Sequence, residues 1–192
     1  MSDMTGKQMI RKWIAEYIGN YVKTYEINIK WGEPSVGITA ANDSLYKELK
    51  TIVSPLCALP SELLPDAKSV IAFCIPYKEN NPERNVYAKI ETNRMTENLI
   101  KYLSEKIVEN GHEVSHLSPI YAYYEGIFVS KWSHRNAASI AGIAPLNNED
   151  QNGYGSIITN WELPVDLQHR RKVMFMQGKR NLEKIYLQMC EG

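Results

Sequence analysis

A chain of 192 residues, 44% hydrophobic and 23% charged, can build one domain with its own core, which excludes wholesale disorder. Its 22 Lys+Arg balance 22 Asp+Glu, and zero net charge argues against a nucleic-acid binder, whose affinity rests on clustered cations. No apolar run approaches the roughly 20 residues that span a bilayer, and MSDMTGKQMIRKW lacks a signal-peptide core, so no membrane partner and a cytoplasmic location are expected.

From the N-terminus, Thr5 reads as the cap of a helix running to about Lys23. Ile10, Trp13, Ile14, Tyr17, Ile18 and Tyr21 fall at the three-and-four spacing of one apolar face. Ile27 to Lys30 alternates briefly and predicts a short strand, followed by a turn at Trp31-Gly32-Glu33-Pro34. Ser35 to Ala41 reads as a buried strand in which Gly37 lets backbone or ligand come near. Asn42 or Asp43 then caps a helix carrying Leu45, Leu49, Ile52 and Val53.

Pro55, Pro60 and Pro65 leave room for a single turn, Ser61 to Leu64. Lys68 to Tyr77 is a continuous apolar run ended by Pro76, the pattern of a central strand covered on both faces. Lys78 to Asn85 reads as an exposed polar stretch. A helix from about Val86 to Asn110 follows, with Met95, Leu99, Tyr102, Leu103 and Ile107 inward and Gly111 as its stop. His112 to Leu117 predicts a strand, and Ile120 to Val129 a strand or a cavity-lining loop carrying Tyr121, Tyr123 and Tyr124. Pro145 to Gly153 is a polar loop, Tyr154 to Leu163 a strand, and Val165 to Cys190 helical in composition. Strands alternating with helices, without repeat or linker, give a single α/β (α+β) layered domain over residues 1–192.

Little of the chain has the spacing that metal or nucleophile chemistry needs. Cys57, Cys74 and Cys190 are scattered and odd in number, so neither a disulfide scaffold nor an iron–sulfur ligand series is expected. Cys74, inside an apolar strand, reads as a buried inert thiol. His112 and His116, four apart on a strand, would stand about 13 Å from each other, too far to share a metal.

The stretch Lys131 to Leu163 concentrates polar and small residues instead. Ser133 caps a helix, and Ala137, Ala138, Ala141 and Gly142 permit close approach. Arg135 beside the helix start suits a carboxylate or phosphate. Residues alone give a candidate pocket without naming its ligand.

Four segments in order resemble the N-terminal, cobalamin-binding part of the epoxyqueuosine reductases, relatives of corrinoid reductive dehalogenases. They are SVGITAAND (Ser35–Asp43), LLPDAKSVIAFCIPY (Leu63–Tyr77), SHRNAASIAGI (Ser133–Ile143) and GYGSIITNWELP (Gly153–Pro164). The resemblance implies a nitroreductase-like layered domain, a central sheet flanked by helices, that holds a cobalamin-like corrinoid, with flavin the weaker fit. The implied cofactor contacts are Ser133, His134, Arg135, Asn136, Ala137, Ala141, Gly142, Tyr154, Gly155 and Thr159.

This sequence departs from the family in three places. No cysteine series for iron–sulfur clusters is present in the chain, so a separate iron–sulfur electron donor is the implied partner. The family's glycine- and lysine-bearing loop is replaced by Gly142-Ile143-Ala144-Pro145-Leu146-Asn147-Asn148. The acid expected just before the Ser133 helix has no counterpart at Phe128, Val129 or Ser130, so no catalytic residue is assigned. The expectation is therefore a binding domain working with a separate donor or in corrinoid handling. The alternative is a cofactor-free interaction or regulatory module of the same fold, possible as a homodimer.

Overall fold

The computed structural model describes residues 5–115, 121–124, 127–144 and 151–166, with backbone alone for 121–124 and 127–130. Among these residues, three strands form one sheet. They are β1 (Ser35–Ala40), β2 (Ser69–Pro76) and β5 (Asn152–Thr159), in the order β1-β2-β5 and antiparallel throughout. The apolar run expected in the centre is in the centre: β2 is buried along almost its whole length. Alternation sends Ile71, Phe73 and Ile75 to one face and Val70 and Ala72 to the other. Each large side chain so buried contributes about 1.5–3 kcal/mol.

The first face is covered by two long helices. Helix α1 (Gly6–Tyr25) starts at a capping box, in which Thr5 Oγ1 accepts from the Gln8 N–H and the Gln8 side chain accepts from the Thr5 N–H. It ends at Glu26, whose φ of 51° closes the helix in the left-handed region. Helix α4 runs Pro82–Glu109, four residues further upstream than the periodicity predicted. Asn81 Oδ1 accepts from the N–H groups of Glu83 and Arg84, and Pro82 takes the first helical position, where a missing N–H is harmless. Ile10, Ile14 and Tyr21 of α1 meet Met95, Leu99, Leu103 and Ile107 of α4 over Phe73 and Ile157.

The second face carries α2 (Ser44–Ile52) and α5 (His134–Ile140), with the short α3 (Pro60–Leu63) beside them. Tyr46, Leu49, Ala137, Ala138 and Ile140 pack there on Val70, Ala72 and Ile158. Helices on both faces of a strand-bearing layer make this a mixed α/β fold. Strands β3 (Tyr121–Tyr124) and β4 (Ile127–Ser130) pair as a separate antiparallel hairpin. Whether Tyr121, Tyr123 and Tyr124 line a cavity lies outside the described side chains.

Three expectations are corrected. Ile27 to Lys30 is not a strand: Ile27 N–H donates back to Val22 O at the end of α1, and among the described residues the first bridge comes at Trp31, which pairs with Tyr77, while Gly32 donates to Pro76 O at 2.7 Å. Of His112 to Leu117, the described part makes a single bridge, Val114 to Thr159. The last strand begins two residues earlier than Tyr154 and stops at Thr159. Beyond it, Asn160 Oδ1 accepts from the Glu113 N–H and Thr159 Oγ1 from the Trp161 N–H, which turns the backbone out of the ladder. The polar loop at 145–150 and the helical stretch beyond residue 166 lie outside the described residues, as does His116.

After β5 the chain crosses back to β1. The Asp166 carboxylate accepts from Ile38 N–H at 2.8 Å and from Lys7 Nζ at 2.6 Å, while Asp166 N–H donates to Ile38 O at 3.0 Å. Asp166→Ala is expected to cost about 1–2 kcal/mol in urea unfolding, since it strands a strand amide and an ammonium together. Asp166→Asn, which keeps an acceptor for Ile38, should lose about half as much. Equal stability of all three proteins would contradict the role given to this carboxylate. No helix among the described residues is long and apolar enough to cross a membrane.

Candidate functional site

The region singled out in the sequence comes together where α5 lies on β5. Ser133 caps α5 as expected, its Oγ accepting from the Asn136 N–H at 3.2 Å. The helix is short, seven residues. It stops at Gly142, whose φ of 67° is a conformation that a Cβ would strain. Gly142 therefore has a local structural reason for being glycine.

Alternation along β5 decides which of the named residues can meet. Tyr154, Ser156 and Ile158 face α5. Gly155 and Thr159 share the opposite face with Ile157, toward α4. The ten residues are thus divided. Ser133, His134, Arg135, Asn136, Ala137, Ala141, Gly142 and Tyr154 lie on the α5 side, and Gly155 and Thr159 behind the sheet. A Cβ on Gly155 would stand 2.1 Å from Phe73 Cζ, so the ring occupies the space that glycine leaves. Thr159 is fully buried, and its hydroxyl donates to Glu113 O at 2.7 Å.

The small residues of α5 are likewise met from inside. Ala137 and Ala141 are each 1% exposed. A Cβ on Gly37 of β1 would come within 2.9 Å of Ala141 Cβ, so glycine and alanine together set how closely α5 approaches the sheet.

The chemistry of the site gathers on Ser156, a residue that motif reading passed over. Its hydroxyl is fully buried. Trp132 Nε1–H donates to Ser156 Oγ at 2.9 Å, and His134 Nδ1 lies 2.8 Å from the same oxygen. An indole N–H can only donate, so Oγ accepts it. A hydroxyl carries one proton and a second lone pair, so Oγ either donates to an unprotonated His134 Nδ1 or accepts from Nδ1–H, according to the imidazole tautomer. Burial pushes the His134 pKa down to about 4, which keeps the ring neutral at pH 7. Trp132 is in turn stacked on Tyr46, with ring centroids 5.7 Å apart, and the Tyr46 hydroxyl pairs with Thr39 Oγ1 at 2.8 Å. The signal that could have found Ser156 is the alternation itself, which puts one hydroxyl on the same buried face as Ile158, against Ala72, in the middle of a sheet.

Toward solvent the site presents Arg135, exposed, with its guanidinium 5.9 Å from the centre of the Tyr154 ring. Asn136 is partly exposed beside it. The site can offer a cation, an amide, an aromatic face and a neutral imidazole with one directed ring nitrogen. Elsewhere, Cys74 is buried, its thiol pushed up to about 11 by desolvation and donating to Asn152 Oδ1 at 3.4 Å. It has the character of an inert core thiol. His112 stacks on Trp161, centroids 4.8 Å apart. Among the described residues no group of three or more His, Cys, Asp or Glu side chains could hold a metal ion.

No family model and no curated protein sequence matches the chain. Among solved structures it is similar to a selenomethionine-labelled epoxyqueuosine reductase (18% identity, TM-score 0.42, 83% of this chain). It is also similar to the epoxyqueuosine reductases of Bacillus subtilis (18% identity, TM-score 0.42, 83% of this chain) and Streptococcus thermophilus (18%, 0.42, 81%). In each case the aligned part is 48% of the other protein, so the chain spans about half the length of those it resembles.

Proposed function

We propose that the protein is a corrinoid-binding domain of the epoxyqueuosine reductase kind, working with a separate iron–sulfur electron donor or in corrinoid handling. One observation carries the reading. The four segments that resemble that family, far apart in sequence, are neighbours in space. Ser35–Asp43 contains β1, Leu63–Tyr77 contains β2, and Gly153–Pro164 holds most of β5. Ser133–Ile143 contains α5, seated on that sheet through the Gly37–Ala141 contact. Together they build one continuous part of the fold, three paired strands and the helix lying on one of their faces.

The residues present fit part of such a cofactor. Arg135 and Asn136 supply donors for carbonyl or phosphate oxygens at its rim, and Tyr154 an aromatic face. His134, neutral through burial, offers an imidazole beside them. When bound, a corrinoid would supply a reducible metal centre. The chain's own part would be to hold and orient it.

Titrating the purified protein with hydroxocobalamin tests the reading. The expected results are a change in the visible spectrum and a rise in melting temperature, worth about 2.7 kcal/mol at a hundredfold excess over Kd. Arg135→Ala should weaken both. A spectrum and a melting curve unmoved by excess ligand would refute corrinoid binding.

A second reading, a cofactor-free interaction module, is favoured by the interior of the site. Ala137, Ala138 and Ala141 are covered by the protein itself, and Ser156 already satisfies both Trp132 and His134. The same titration separates the two readings.

A further inference from the structure

Helix α4 has an apolar stripe on its outer side. Val86, Tyr87 and Ile90 are 61%, 54% and 62% exposed. Glu83, Arg94 and Glu97 are exposed as well. Positions 83, 86, 87, 90, 94 and 97 recur at three and four residues, so they share one side of the helix. Ala88, Glu91, Met95 and Leu99 hold the other side in the core. The Arg94 guanidinium lies 5.5 Å over the ring of Tyr25, itself 52% exposed, which extends the patch onto α1. Apolar residues exposed singly need no explanation; three within five positions on one side of a helix mark a contact surface.

We infer that this stripe docks a second copy of the chain, α4 against α4, antiparallel about a two-fold axis. Charge complementarity selects that occupant. With the axis between Ala88 and Lys89, Tyr87 of each copy faces Ile90 of the other. The same register sets Glu83 of each copy opposite Arg94 of the other. One rotation therefore covers the apolar residues and pairs both charges, as a self-complementary two-fold contact must. Moving the axis to Ile90 would instead oppose Glu83 to Glu97, two like charges. Arg94 is held in place for the contact by the Tyr25 ring and by the Glu91 carboxylate at 3.9 Å.

Sedimentation equilibrium of the full chain across micromolar concentrations tests the contact. The wild-type chain is expected to dimerise. Glu83→Arg alone and Arg94→Glu alone each create two like-charge pairs and should weaken association at least about 10-fold. An equimolar mixture of those two variants restores both ion pairs, and should associate as tightly as wild type. Ile90→Glu should be monomeric and still folded by circular dichroism. The proposal is overturned by a wild-type chain that stays monomeric, the outcome expected if residues 167–192 of the same chain cover the stripe. It is equally overturned by a mixture no tighter than its single variants. Should Arg94→Glu fail to fold for loss of its Glu91 contact, Glu83→Arg and Ile90→Glu decide the matter: wild-type association in both overturns the proposal.

Discussion

Gly155→Ala is expected to destabilise the protein by about 3 kcal/mol or more, enough to remove much of the stability of an ordinary domain. The added methyl would stand 2.1 Å from Phe73 Cζ and within 2.7 Å of both neighbouring ring carbons. Phe73 is fully buried in the central strand, between α1 and α4, and has nowhere to swing. Either β5 leaves its register with β2 or the ring leaves its rotamer, and both cost energy. Phe73→Leu, costly by itself, should cut the penalty of Gly155→Ala to less than half when the two are combined. Urea unfolding of the four proteins in this cycle measures the coupling directly. Additive effects, or a Gly155→Ala protein as stable as wild type, would show that the ring and the glycine do not depend on each other.

The second large effect is one of pH. His134 titrates near 6.5 when unfolded and at about 4 when folded, because burial disfavours its charged form. Between those values the unfolded chain binds more protons than the folded one, so stability rises with pH across that window. Read downward, the contribution is intact above pH 6.5 and is lost as the pH falls toward 4. The ring is partly exposed, which places the loss at about 2–3 kcal/mol rather than the full value of the shift. Carboxylates lose their own stabilising terms on acidification. The clean measurement is therefore the difference in urea midpoint between wild type and His134→Gln, followed from pH 7 to pH 4. Glutamine keeps an atom that can bond Ser156 but takes up no proton. The two curves should converge as the pH falls; parallel curves would show that His134 is not held neutral by the fold.

Much of the frame was legible because its determinants are local. The unbroken apolar run from Val70 to Ile75 could be little else than a central strand, and Thr5 marked the start of α1. Asn81-Pro82-Glu83 was equally explicit as a helix start, yet the polar composition around it masked a cap that reads by position rather than by hydrophobicity. Ile27 to Lys30 misled for the converse reason: alternation marks a strand only where another strand is present to pair with it.

The site was harder to read. The family resemblance grouped Tyr154, Gly155 and Thr159 as cofactor contacts, whereas the two-residue period of a strand sends them to opposite sides of a sheet. Gly155 and Ala141 looked like room for a ligand, and each has a partner inside the protein that sequence distance conceals, Phe73 in one case and Gly37 in the other. Ser156 acquires its meaning only when Trp132 and His134 are brought to it.

The hold of Asp166 on Ile38 has a consequence beyond stability. An outer strand with open amides and carbonyls is a template on which another polypeptide can lay a strand of its own. At Ile38 both backbone groups are already engaged, one by a carboxylate and one by a main-chain amide. Lys7, drawn to the same spot, sets a charge beside that margin. The returning chain thus acts as a guard rail: with it in place, β1 can neither recruit a stray β-segment at its midpoint nor seed a growing ribbon.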